Sequence, residues 1–380
     1  MSSGRDTVHE RTVDIAVRHA EGDTASAITA AADGSSRQRS LWRGERRVAR
    51  RKVYALILVL VAIFIVSFNL GRYDGISMSE IIQILISRVF PLQETWSAEH
   101  EKVILYIRFP RISSAVLVGA ALALAGAAYQ TVFKNPLVSP DILGASSGAS
   151  LGAAAAIFLG MRSPYIQLSA FVLALLAVWA TVFVGEHVKR DPILALVLSG
   201  VFISSLANAL VSLLKFMADP EDRLPTITYW LMGSLSNIGL DEIGWAAIPM
   251  LLSAIPLLLL RWRLNVLSLG EDEAKSLGVE TRRLRALVIV CATLLTASAI
   301  SIGGLIGWVG LVIPHLIRML VGPNNSYMLP ATALAGGGFL LLVDNLARAL
   351  TTTEIPLGVL TAIIGAPFFI ALIMRESVKR

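Results

Sequence analysis

The chain has 380 residues, 55% of them hydrophobic and only 16% charged, against about 25% charged in an ordinary soluble domain. With a mean hydropathy of +0.69, that shortage of charge excludes a soluble globular protein and points to a polytopic membrane protein. The formal net charge of +6 does not call for a nucleic-acid partner, because the basicity is local: between Arg37 and Lys52 eight cations face Glu45 alone.

Residues 1–36, rich in Ala, Ser, Thr and Gly with mixed charge, offer too little apolar surface to order themselves. With the basic block they form an expected flexible cytoplasmic tail, residues 1–52. A basic block just before an apolar run holds that side in the cytoplasm, helped by anionic lipid headgroups. The first apolar run begins near Val53, too far into the chain for a cleaved signal, so it reads as a retained span.

A bilayer core of about 30 Å takes about 20 helical residues. On that measure the apolar runs predict ten spans, at 53–70, 112–133, 142–161, 165–187, 193–215, 241–261, 286–302, 304–321, 329–350 and 356–374. Open strands cannot cross lipid, so the fold class is all-α. The loop charges agree with both termini being cytoplasmic. Expected inner segments carry Lys134, Lys189, Arg190, Arg261, Arg263, Lys275, Arg282, Arg283 and Arg285, and the tail carries Arg375, Lys379 and Arg380. Expected outer segments are mixed or acidic, with Glu94, Glu99 and Glu101 in one and Asp219, Glu221 and Asp222 beside Arg223 in another.

Glycines recur at a spacing of four, as Gly144, Gly148 and Gly152, and again as Gly303 and Gly307 with Gly310 beyond. Such spacing lets helices approach closely, either within one bundle or along a dimer seam. Prolines such as Pro136, Pro140, Pro192 and Pro314 mark breaks near span ends.

Chemistry-bearing groups are sparse inside the spans. Asp344 is the clearest intramembrane carboxylate, and an i,i+4 ion pair with Arg348 accounts for it. The five histidines are scattered, Cys291 has no partner, and neither a metal site nor a catalytic constellation emerges. No phosphate-binding loop occurs, so the chain is not expected to hydrolyse ATP. The stretch Leu269–Glu280 reads as a short surface helix opened by acids and stopped by Gly278, with Ala274 and Leu277 as an apolar stripe. It is either a docking element for a cytoplasmic partner or an idle connector.

From about residue 53 to 377 the chain resembles the permease subunits of ATP-binding-cassette importers for iron chelates, haem and cobalamin, the type II importers. The resemblance rests on Arg108-Phe-Pro-Arg111, the run Val118–Gly126, Gln130 with Asn135-Pro-Leu137, and Pro140-Asp-Ile-Leu-Gly144. It continues in Leu269-Gly-Glu-Asp with Leu277-Gly-Val279, Gly307–His315, Glu354-Ile-Pro-Leu-Gly358 and Gly365-Ala-Pro367.

The resemblance implies a ten-span, non-catalytic membrane subunit that pairs with a second permease, either a copy of itself or a paralogue. It implies two cytoplasmic ATPases carrying ATP and Mg, with no cofactor on this chain, and an extracytoplasmic binding protein that delivers the cargo. The setting is the cytoplasmic membrane of a bacterium or archaeon. Residues 269–285 then form the coupling loop, with Gly270, Glu271, Ala274, Leu277 and Gly278 meeting the ATPase. Arg108, Arg111 and Arg348 match arginines that receive carboxylates of the binding protein. Asn135 and Leu137 match a cytoplasmic gate, with a second contribution expected around Asp191 and Pro192. The expected cargo is a ferric siderophore, with haem or cobalamin as alternatives. A secondary transporter is the rival from another class, and the near absence of buried carboxylates argues against it. Two features depart from the family pattern: the long polar tail, and the loop Gly322–Pro330, which lacks an Asp-His-Arg triplet.

Overall fold

The computed structural model describes residues 47–377 apart from 72–74, 89, 92, 189–191 and 352. The expected tail over 1–46, the inner-loop cations Lys189 and Arg190, the gate position Asp191, and Lys379 and Arg380 lie outside the described residues. The chain divides into two units, Met1–Lys52 and Val53–Arg380. Of the first, residues 47–52 are helical.

The second unit is helical throughout its described regular structure. Its elements are α1 (residues 53–67), α2 (Met78–Ser87), α3 (Ala98–Lys102), a π-helical turn (Val103–Arg108), α4 (Phe109–Val132), α5 (Ala145–Phe158), α6 (Ser163–His187) and α7 (Pro192–Met217). There follow α8 (Arg223–Met232), α9 (Leu240–Leu259), α10 (Arg261–Leu269), α11 (Glu271–Ser276), α12 (Thr281–Gly303), α13 (Val309–Val321), α14 (Asn325–Ala349) and α15 (Leu357–Ser377). Six of the described helices are long and apolar enough to cross a membrane, among them the continuous stretch Ala98–Val132. The other four expected spans coincide with α1 and with the shorter apolar helices α5, α13 and α15.

The second span starts at Ala98, well before the expected residue 112. Pro110 has no N–H and its ring crowds the carbonyl four residues earlier, which ordinarily ends a helix. Here the π-helical turn just before it absorbs the mismatch, and the helix continues.

The centre of the bundle is α4, buried on nearly every face. It runs antiparallel to α14 in one register along their whole length. Arg111 meets Asp344 at one end, Gly119 meets Gly336 in the middle, and Thr131 meets Asn325 at the other end. At Gly126 a side chain would collide with the backbone of Gly310 on α13, so only glycine allows that approach. Gly148 and Gly152 of α5 lie in the same way against the backbone of α6. The small-residue spacing thus serves packing inside this chain, whereas Gly307 makes no such approach.

Helix ends explain several motifs. After α4, Lys134 adopts a left-handed φ of 48°. The amide of Asn135 then donates to the Gln130 carbonyl at 3.2 Å, and that of Lys134 to Thr131 at 3.4 Å. This is a Schellman stop, built on lysine where glycine is usual, and Pro136 keeps the helix from resuming. Gly278 ends α11 in the same manner, with Val279 donating to Ala274 and Gly278 to Lys275, each at 2.9 Å.

Candidate functional site

Two polar constellations occupy opposite ends of α4. At its N-terminal end Arg111 donates from Nε to Asp344 Oδ1 at 2.9 Å and from one Nη to both oxygens of Glu354 at 2.8 and 2.9 Å. Arg348 approaches the second oxygen of Asp344 at 3.1 Å. Asp344 is fully buried and the three arginines, Arg108, Arg111 and Arg348, are nearly so. Buried ions persist only when paired and hydrogen-bonded, and here the pairing uses planar guanidinium forks that match carboxylates.

Two further guanidinium contacts reach the segment just after α1. Arg108 donates to the Phe68 carbonyl at 2.5 Å and Arg348 to the Leu70 carbonyl at 2.8 Å. Both carbonyls belong to the turn that leaves α1, and the two cations satisfy them there. Asn345 completes the cluster, donating to Ser67 at 2.7 Å and accepting from Arg348 at 2.5 Å. The i,i+4 pair expected from the sequence is present, within a larger network that also contains Arg111 and Glu354.

At the C-terminal end of α4, Gln130 donates to the carbonyls of Val138 at 3.3 Å and Leu311 at 3.2 Å, and accepts from Arg318 at 3.1 Å. This fixes the loop that carries Asn135 and Leu137. Asn135 Oδ1 accepts from the Leu137 amide at 2.9 Å, a tight turn that leaves the Leu137 side chain 51% exposed. Nearby, Asn265 of α10 accepts from the Asn325 amide at 2.7 Å and donates to Asn324 at 2.9 Å, tying the segment before α11 to the start of α14. Gly270 links α10 to α11 in extended conformation. Ala274 is buried and Leu277 exposed, so the two do not form one outward stripe: the first anchors α11 and the second is presented. The side chain of Glu271 lies outside the described residues.

Between the two ends the bundle contains unwound backbone. The Ser234 amide donates to the Gly303 carbonyl at 2.9 Å and the Leu357 amide to Gly233 at 2.9 Å, which knits the segments after α8, after α12 and before α15. Gly358 fits between the carbonyls of Met232 and Leu305, and Gly365 lies against the Trp308 ring, which stands edge-on to Phe369 at 6.2 Å. Beside this crossing lies a cavity of about 410 Å³ whose lining includes Gln167, Thr226, Tyr229, Ser234, Asn237 and Ser301, neutral groups able to donate and accept hydrogen bonds. Among the described residues no three His, Cys, Asp or Glu side chains gather where they could hold a metal ion.

The arrangement of a broken-helix bundle around α4 and the ordered motifs match a known family. The model of the FecCD transport family aligns with residues 58–375. The chain belongs to the FecCD transport family. It is 44% identical over 324 residues to the molybdate import system permease protein MolB of Haemophilus influenzae, which covers 85% of this chain and 95% of that protein. It is 40% identical over 325 residues to a protein of Helicobacter pylori named as an iron chelatin transport system permease, covering 85% and 98%. Among solved structures, an inward-facing metal-chelate type ABC transporter matches with TM-score 0.76 at 41% identity, over 86% of this chain and 99% of that one. The fold is therefore that of a type II importer permease, and the protein is a multi-pass membrane component of the FecCD family.

Sequence reasoning named Arg108, Arg111, Arg348, Asn135, Leu137 and the 269–278 segment. It assigned no role to Glu354 or Gln130, although both sit in the family motifs, nor to Asn265 and Arg318. Their importance is geometric: each bridges elements remote in sequence, and no local pattern signals that.

Proposed function

We propose that this FecCD-family permease carries a ferric siderophore across the cytoplasmic membrane, with both termini inside. Energy comes from ATP bound with Mg on a separate pair of ATPases, and this chain binds no cofactor of its own. The observation that supports the reading most strongly is the match over residues 58–375 combined with a coupling-type segment held rigidly by Asn265 and presenting Leu277. Leu277, Gly270 and Gly278 give that segment its exposed surface and its two bends, while Ala274 anchors it. Movement of the segment would then reach the gate at Asn135 and Leu137 through the shared start of α14 and the end of α4.

A binding protein would dock at the end that holds Arg108, Arg111 and Arg348. Because these guanidinium groups already face Asp344, Glu354 and backbone carbonyls, an incoming carboxylate would have to replace Glu354 on Arg111 rather than meet an empty cation. A second permease would complete the pore, and membrane lipid would cover the rest.

A second cargo reading, molybdate, is favoured by the 44% identity to the molybdate permease over 95% of its length. The deciding experiment uses vesicles holding this chain with its ATPase and binding protein, and follows uptake of labelled ferric siderophore and labelled molybdate. ATP-dependent siderophore accumulation supports the first reading and molybdate accumulation the second. Uptake of either without an associated ATPase would return the secondary transporter to the front.

A further inference from the structure

Gln130 grips the turn that carries Asn135 and Leu137 from both sides. Its backbone carbonyl accepts the Asn135 amide at 3.2 Å, and its side-chain amide donates to the Val138 carbonyl at 3.3 Å. One residue at the end of α4 thus closes over Asn135-Pro136-Leu137, and the Val138 amide donates back to the Asn135 carbonyl at 3.3 Å. Gln130 is 2% exposed, so its carboxamide is stable there only with its hydrogen bonds made.

The other bonds of that carboxamide come from α13. Its nitrogen also donates to the Leu311 carbonyl at 3.2 Å, and Arg318 donates to its oxygen at 3.1 Å. Leu311 and Arg318 stand seven residues apart, about two turns along one face of the helix. A helical side chain leans toward the helix N-terminus, which brings the guanidinium back to the same carboxamide. Further along the loop, the Pro140 ring fills the space at Gly310 where a side chain would lie. The loop over 133–140 is therefore held between the end of α4 and α13.

Backbone breaks bound α13 on both sides. Gly304 to Trp308 before it is unwound, with Trp308 at a φ of 69°, and Gly322 after it has a φ of 96°. Two residues beyond Gly322, Asn324 accepts from Asn265 of α10. We propose that Arg318 and Gln130 are positioning residues for the inner gate: Arg318 orients the Gln130 carboxamide, Gln130 holds the turn, and a shift of α13 against α4 moves it. This rests on the reading of Asn135 and Leu137 as the cytoplasmic gate.

The test uses the full chain in nanodiscs, with its one cysteine removed as Cys291→Ser and a spin label placed on Leu137→Cys. The label is expected to be restricted in that background. Arg318→Met and Gln130→Met should each raise its mobile fraction by about tenfold, as for loss of a hydrogen bond to a charged group. Arg318→Lys, which keeps a charged donor, should restore part of the restriction. The two Met substitutions together should do no more than Gln130→Met alone, because Arg318 acts through that side chain. A label on Trp245→Cys, a position 79% exposed on α9, should not respond. Equal loosening at both labels would mean general destabilisation and overturn the proposal, as would an unchanged spectrum at the gate label or additive effects. Should Gln130→Met fail to fold, Arg318→Met against Arg318→Lys decides on the same spectra. A second readout uses vesicles with the ATPase and binding protein. Whichever of labelled ferric siderophore and labelled molybdate the wild type accumulates should leak out faster without ATP in Arg318→Met, and an unchanged leak also overturns the proposal. If the wild type accumulates neither, the transport reading falls, and the spectra still judge whether Arg318 positions the turn.

Discussion

The two ends of α4 treat charge in opposite ways. At the N-terminal end Arg111, Asp344 and Arg348 are drawn out of solvent and paired with one another and with the partly exposed Glu354. At the other end the polar contacts are single hydrogen bonds that hold loops in place, and the loops offer apolar tips, Leu137 and Leu277, to the outside. The first region is organised so that removing one group leaves others stranded; the second so that its tips can be altered with little effect on the fold. On the proposed function, residues of contact and residues of structure are thus separated at one end and merged at the other.

The sharpest way to break this contrast is Asp344→Ala. It leaves Arg111 and Arg348 facing each other in a buried site, and a loss of about 3–5 kcal/mol is expected, read as a collapse of the thermal midpoint in detergent. Gly126→Val tests the packing beneath the network. With the Gly310 backbone in the way, about 1–3 kcal/mol should be lost through overpacking, seen in the same melt. Tyr129→Phe removes a hydroxyl that lies 2.8 Å from Thr293 between α4 and α12 and should cost about 1 kcal/mol. Leu277→Ala is the opposite case: its stability should stay within about 0.5 kcal/mol of wild type, while binding-protein-stimulated ATP hydrolysis in the assembled transporter falls. A normal ATPase response in that variant would remove Leu277 from the coupling surface.

Much of this was legible in the letters. The ten apolar runs coincide with helices, most of them to within a few residues, because lipid demands uninterrupted apolar length. Gly278 ends α11, and Asn135-Pro136 follows the end of α4, as their chemistry requires. Other features were hidden for identifiable reasons. α2 and α8 are short helices in segments read as connections; Pro225 and the acids before Arg223 disguise the second. The start of the second span was obscured by His100, Glu101 and Lys102, which look like loop residues but continue one helix through the π turn. The expected span from 304 begins at Val309, because Gly304 to Trp308 is unwound and Trp308 takes a φ of 69°. In the charged cluster the local pair was visible and the network was not, since Arg111 and Glu354 come from segments far apart in the chain.

That distance matters for how the protein is made. Arg111 and Asp344 are separated by 233 positions, and a ribosome adding roughly 5–20 residues per second delivers the carboxylate about 10–50 s after the arginine. During that interval α4 enters the membrane carrying a guanidinium group whose permanent partners do not yet exist. Its two close backbone neighbours at Gly119 and Gly126, Gly336 and Gly310, are also still unmade. The most buried helix of the finished bundle is among the first to be synthesised and among the last to be enclosed, so the insertion machinery must shelter it until the C-terminal quarter of the chain arrives.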